Sequence, residues 1–184
     1  MEALAGIVAA EIEAAVSNEE NALKELDLGI FRMPELALSY LAGRNIARAI
    51  RRDSRYEMLT WAREMSLGAS GPCDLVLLRG KEPECVVEFK MADGSEAYMS
   101  DIMKLQQLGP VPIKIFCALV DAFSKKGVKD ERIVRLEDET NRAGIPVRRI
   151  GSWKPFKTAQ TRYASPVSCV IAIWQLDATP HLAS

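Results

Sequence analysis

The chain has 184 residues, of which 48% are hydrophobic and 27% charged, with a formal net charge of −1; this fits one domain with a single core and excludes a second full domain. Near-neutrality excludes nucleic-acid binding through bulk basicity, so any such binding has to come from local segregation of charge. The single histidine, His181, lies three residues from the C-terminus, where fraying is expected, which excludes Ser-His-Asp and Cys-His catalysis and His-ligated zinc.

Charge is segregated along the chain. Residues 1–27 carry seven acids and one lysine, Lys24, whereas the stretch between Thr140 and Asp177 carries Arg142, Arg148, Arg149, Lys154, Lys157 and Arg162 with no acid. Cys73, Cys85, Cys117 and Cys169 are dispersed singly in apolar runs, without the close pairs of a zinc site or a disulfide scaffold, so buried thiols in a reducing cytoplasm are expected. The N-terminus lacks a basic leader, Glu11 and Glu13 interrupt its apolar run, and no stretch approaches the length of a membrane span; a soluble cytoplasmic protein without a membrane partner is expected.

From Glu2 to Val16, apolar residues recur at Leu4, Ile7, Val8, Ile12, Ala15 and Val16, the pattern of an amphipathic packing helix. Ser17 and Glu20 form a capping-box pattern, which predicts a short second helix to about Leu26, ended by Gly29. Met33-Pro34-Glu35 opens a helix to about Arg52, because Pro suits the first helical position and Glu the positive end of the dipole. Its apolar face is Leu38, Leu41, Ala42, Ile46, Ala49 and Ile50; Arg44, Arg48, Arg51 and Arg52 form a basic face. That basic face, Arg44 included, is a candidate phosphate contact or simply a solvated surface. Arg55 to Met65 reads as the first strand.

The stretch Gly71–Lys90 carries the chemistry. Two apolar runs, Leu75–Leu78 and Cys85–Phe89, flank Arg79-Gly80-Lys81-Glu82-Pro83, so the segment reads as a β-hairpin. Side chains alternate along a strand, which sets Glu84, Val86, Glu88 and Lys90 on one face and Cys85, Val87 and Phe89 on the other. For a turn centred near Lys81, antiparallel pairing brings Asp74 opposite Glu88 to Lys90. Two carboxylates and an ammonium then converge at the open end. A buried pair of carboxylates repels unless a cation neutralises it, and Mg²⁺ prefers carboxylate oxygens, with water and phosphate filling the remaining positions.

At Gly71-Pro72-Cys73-Asp74 and Glu88-Phe89-Lys90 the chain resembles the PD-(D/E)xK phosphodiesterase superfamily, the restriction-endonuclease-like fold, whose motif is an Asp at a strand start and Glu-x-Lys ending the next strand. The proline stands one place earlier than in that pattern, with Cys73 before Asp74. The resemblance implies that Asp74 and Glu88 ligate Mg²⁺ or Mn²⁺, that the backbone carbonyl of Phe89 is a further ligand, and that Lys90 orients the attacking water and offsets charge on the phosphorus. It implies that Glu35, on the helix opening the fold, joins the metal site; helix-dipole complementarity alone also accounts for a Glu there.

After Lys90 the loop Met91–Gly94 leads to Ser95 or Ser100 as N-cap, and Tyr98, Ile102, Leu105 and Leu108 fall at helical spacing up to Gly109-Pro110. Asp101, Lys104 and Gln107 lie opposite that stripe or at its edge. By the resemblance, Lys104 and Gln107 would reach the scissile phosphate or the water; otherwise they form a solvated face. Ile113–Val120 reads as a central strand buried on both faces, Lys129–Ala143 as a charged helix and Pro146–Ile150 as a strand, a βαβ unit. Gly151–Ser168 combines Trp153, Phe156 and Tyr163 with Lys154, Lys157 and Arg162. It is a candidate nucleic-acid contact through phosphates and stacked bases, or an ordinary covering loop. Cys169–Leu176 is the last strand.

The expected architecture is therefore a single α/β domain over 1–184, restriction-endonuclease-like, with an αβββαβ core and a mixed central sheet. The N-terminal helical extension covers 1–28, the nuclease-like core 34–120 and a C-terminal elaboration 129–176. The expected function is a metal-dependent nuclease with DNA as its substrate, and many enzymes of this fold act as homodimers. Two alternatives stay open: a catalytically inactive member of the fold that binds nucleic acid or protein, and an interaction protein whose acidic N-terminal helices pair with a second copy.

Overall fold

Long β-branched and aliphatic runs form the centre of the molecule, and helices cover them on both faces. The structure, a computed structural model, describes residues 2–68, 71–123, 129–159, 165 and 167–177. They form α1 (Glu2–Lys24), a 3-10 turn (Ile30–Arg32), α2 (Glu35–Ile50), β1 (Leu59–Ser66), β2 (Pro72–Arg79), β3 (Glu82–Met91), α3 (Ser95–Gln107), β4 (Ile113–Phe123), α4 (Glu131–Arg142), β5 (Val147–Ile150), β6 (Phe156–Lys157) and β7 (Val167–Leu176). The fold is mixed α/β. Its seven-stranded sheet has the order β1-β2-β3-β4-β7-β5, with β6 pairing to β7. β3 and β4 are parallel; the other pairs are antiparallel. No helix among the described residues is long and apolar enough to cross a membrane.

Alternation along the strands divides the core in two. Leu75, Leu77, Cys85, Val87 and Phe89 face α1 and α2, in a cluster with Leu4, Val8, Ile12, Leu38 and Ile46. Val76, Val86, Phe116, Val120 and Trp174 face α3 and α4, with Tyr98, Ile102, Leu105, Ile133 and Leu136. All four cysteines are buried free thiols. α2 comes very close to the sheet at Gly43: a Cβ there would lie 2.6 Å from the Trp61 ring and 2.9 Å from the Leu75 side chain, so any larger residue would push the helix off β1 and β2.

The hairpin is tighter than the sequence suggests. Its two-residue turn is Gly80-Lys81, with Gly80 at φ +66, the conformation that favours glycine at the first central position of a hairpin turn. Glu82 and Pro83 belong to β3, and the register shifts between Leu77 and Leu78. Pro83, lacking an N–H, is accommodated next to that irregularity. Leu75 pairs with Val87 and Val76 with Val86, so the next position sets Asp74 opposite Glu88. β5 runs parallel to β4, with β7 inserted between them, and α4 makes the crossover.

Three local expectations are corrected. α1 runs unbroken to Lys24, because Glu20 is not a capping residue: it is buried and its Oε2 accepts the Ile30 N–H at 2.7 Å. β1 starts at Leu59 and not at Arg55, since Asp53 Oδ1 accepts the Arg55 N–H at 3.0 Å and holds that stretch in a turn. Gly94 precedes α3 without a side-chain cap; neither Ser95 nor Ser100 caps the helix.

Candidate functional site

β3 outruns its pairing with β2, which is in register only up to Leu75↔Val87. In a strand, the N–H and C=O of one residue point to the same neighbour. The N–H groups of Phe89 and Met91 therefore need partners where β2 veers away. Two carboxylates supply them: Asp74 Oδ2 accepts from Phe89 N at 2.8 Å, and Glu35 Oε2, from the first turn of α2, accepts from Met91 N at 2.9 Å. The opening of the sheet thus draws Asp74 and Glu35 to the end of β3. By the same stereochemistry the Phe89 carbonyl faces the Asp74 side.

Glu88 and Lys90 project from the other face of β3, toward α3. Lys90 Nζ lies 3.3 Å from Asp101 Oδ2 and 3.8 Å from Glu35 Oε1, and Lys104 Nζ lies 2.9 Å from Glu88 Oε1. Lys104 also donates to the Pro72 carbonyl at 2.5 Å. Asp101 and Lys104 are one turn apart on α3, so a single helix face delivers an acid to Lys90 and a base to Glu88. Lys104 is thus directed at the cluster, whereas Gln107 is exposed on α3 and takes no part in it.

The electrostatics are unbalanced. Among the described residues, Glu35, Asp74, Glu88 and Asp101 stand against Lys90 and Lys104, a formal −2 when all are ionised. Glu88 is 2% exposed. Burial, reinforced by the charge of Asp74, pushes its carboxyl up to about 7 even though Lys104 pulls the other way. Burial likewise raises Glu35 and Asp101, against the opposing pull of Lys90. Burial also works to lower the two ammonium groups, but Asp101 and Glu35 hold Lys90, and Glu88 holds Lys104, above the usual lysine range. Burial, and then Glu88, pushes the neighbouring Cys73 thiol up to about 12, so that thiol stays protonated. Glu88 Oε1 and Asp101 Oδ2 are buried, and each faces one ammonium, Lys104 at 2.9 Å and Lys90 at 3.3 Å.

These residues fit a hard divalent cation. The donor set is oxygen only, and with every acid ionised its net charge of −2 would be balanced by one divalent ion. As the side chains stand, no three Asp, Glu, His or Cys among the described residues close around one point; one or two carboxylates commonly suffice for Mg²⁺.

The remaining nucleic-acid candidates lie elsewhere. Arg44 is exposed on α2, nine residues and ~13 Å along the helix from Glu35. Trp153 is corrected from a base-stacking residue to a core residue. It is 7% exposed, its ring meets Trp174 edge-on at 4.8 Å, and its indole N–H donates to the carbonyls of Ile150 (2.7 Å) and Ile173 (3.2 Å). Arg149 covers its ring at 4.4 Å. Lys154 and Lys157 are exposed. Arg162 and Tyr163 lie outside the described residues, as does His181. Asp101 escaped the sequence reading as a site residue, although its spacing from Lys104 was the available signal. No family model, curated protein or solved structure matches the chain, so the reading of this cluster rests on its own geometry.

Proposed function

We propose that the chain is a metal-dependent nuclease of the restriction-endonuclease-like kind, hydrolysing phosphodiester bonds with DNA as its substrate. The observation that carries this reading is the excess of acids at the end of β3, four carboxylates against two ammonium groups, a formal −2 when all are ionised, with burial and Asp74 pushing the Glu88 carboxyl up to about 7. Such a charge is costly to bury unless a cation completes it. The α2-β1-β2-β3-α3-β4 order supports the same fold reading.

In this reading Asp74 and Glu88 would hold Mg²⁺ or Mn²⁺, with the Phe89 carbonyl as a further oxygen and Glu35 binding through water or a second ion. When bound, the ion supplies Lewis-acid chemistry, polarising the phosphate and lowering the pKa of water. Lys90 stays protonated among acids, so it offsets charge on the phosphate and orients the nucleophile and is not the base. Asp101 positions Lys90; Lys104 sets the charge of Glu88 and faces the phosphate.

The test is Mg²⁺-dependent nicking of supercoiled plasmid. Asp74→Ala and Glu88→Ala are expected to lose on the order of 10³-fold in rate while still unfolding in one cooperative transition. Wild-type rates in both variants would overturn the reading. One observation favours a second, non-catalytic reading: the ammonium of Lys104 already stands 2.9 Å from Glu88. A metal-free binder of this kind would retain DNA in EDTA and show no nicking at any divalent concentration.

A further inference from the structure

On the α1 side of the sheet, a cavity of about 550 Å³ separates the C-terminal half of α1 from the chain around β6, a size usual for ligand sites. Phe156 and Ile171 give it an apolar floor. Its walls are fixed by two glutamates of α1: Glu20 Oε1 accepts the Ala159 N–H at 2.6 Å, and Glu13 Oε1 accepts the Ser152 N–H at 2.5 Å. Both carboxylates are thus committed to backbone donors. Lys24 on one wall and Lys154 and Lys157 on the other are exposed at its rim, and among the described residues they have no ion-pair partner. The opening therefore presents three exposed cations at the rim, with the carboxylates of Glu13 and Glu20 turned to backbone donors in the walls and an apolar floor below, an arrangement complementary to a phosphate-linked planar ring.

The cavity lies at the same end of the sheet as the carboxylate cluster. β6 pairs with Cys169 and Ser168 of β7, which pair with Asp121 and Ala122 at the end of β4, beside the end of β3. Three strand spacings, ~14 Å, separate β6 from β3 along the sheet; since the cavity opens on the α1 side and Glu88 and Lys90 point to the α3 side, a nucleic-acid strand joining the two rounds the end of the sheet.

We propose that this cavity takes one nucleotide of the substrate strand, a few positions from the scissile bond. Its phosphates meet Lys24, Lys154 and Lys157, and its base lies on Phe156. The inference rests on the nuclease reading for its substrate class. Its test is independent of metal and catalysis: fluorescence anisotropy of a labelled oligothymidine ten nucleotides long with the full chain in EDTA.

Lys154→Glu with Lys157→Glu is expected to weaken binding at least about tenfold and to flatten the salt dependence. Asn21→Trp, which adds no charge and fills the cavity from α1, is expected to weaken it about fivefold, with Ser17→Met as a second filling variant should the tryptophan disturb the helix. Lys81→Glu, at the opposite end of the hairpin, leaves binding unchanged. Wild-type affinity in the double lysine variant overturns the proposal. So does a loss in the lysine variant with none in either filling variant, which would mean a merely basic surface. Absence of wild-type binding at about 100 μM also overturns it, while plasmid nicking by wild type and Asp74→Ala separately judges the nuclease reading.

Discussion

Two charged clusters sit one strand apart at the same end of the sheet, and they are built on opposite principles. At the end of β4, Arg132 donates to Asp130 through Nε (2.9 Å) and Nη2 (3.2 Å), to Asp121 Oδ1 through Nη1 (2.5 Å) and to the Asp121 carbonyl through Nη2 (3.0 Å). Asp130 also caps α4 by accepting the Arg132 N–H. Burial opposes the guanidinium charge, but these acids outweigh it and raise Arg132 above its already high value. Two acids share one guanidinium there, and four of its hydrogen bonds tie both to it, as in a structural node. At the end of β3, among the described residues, no guanidinium ties the acids together: four carboxylates face two ammonium groups, and burial pushes the Glu88 carboxyl up to about 7. A protein that can saturate one cluster and leaves its neighbour unsaturated marks the second as a place for something to bind.

That contrast can be broken at either cluster. Arg132→Ala removes the cation from two partly buried acids and should cost about 2–4 kcal/mol, lowering Tm by about 5–12 °C. A shift under 2 °C would mean that the node is not structural. Glu88→Gln should do the opposite in EDTA at pH 8. Because the folded protein holds the Glu88 proton up to about 7 against the ordinary 4.5, native stability falls as pH rises through that window. The neutral amide avoids that penalty, for a gain of about 1–2 kcal/mol. The gain should vanish at pH 5, where Glu88 is protonated; a loss of stability at pH 8 would show that Glu88 is fully compensated.

The smallest effect belongs to Asp101→Asn. Lys90 then keeps only the more distant Glu35 (3.8 Å) and loses its orientation, so kcat should fall about tenfold, near 1.4 kcal/mol, with KM unchanged. A change in KM alone would instead make Asp101 part of the binding surface.

The hairpin was legible in the sequence because two-residue alternation and the Gly80 turn together fix which side chains share a face. That set Asp74 opposite Glu88 to Lys90, and the observed pairing of Leu75 with Val87 narrows it to Glu88. The docking angle of α3 was not legible, since nothing local dictates which of its polar residues turns inward. Asp101 and Lys104 enter the cluster and Gln107 does not. Trp153 was misread for a related reason. Among turn formers and lysines an aromatic looks exposed, yet its positive φ of 56 and the carbonyls awaiting its N–H turn it into the core. Glu20 shows the same limit: a capping pattern local to α1 gave way to backbone donors far along the chain.

The most direct test of the unbalanced cluster is calorimetric titration of Mn²⁺ into the wild type and the Asp74→Ala/Glu88→Ala variant at pH 8, above the value of about 7 at which Glu88 ionises. A saturable isotherm in the wild type that disappears in the double variant is the predicted result. No binding in the wild type, or the same isotherm in both proteins, would contradict the account.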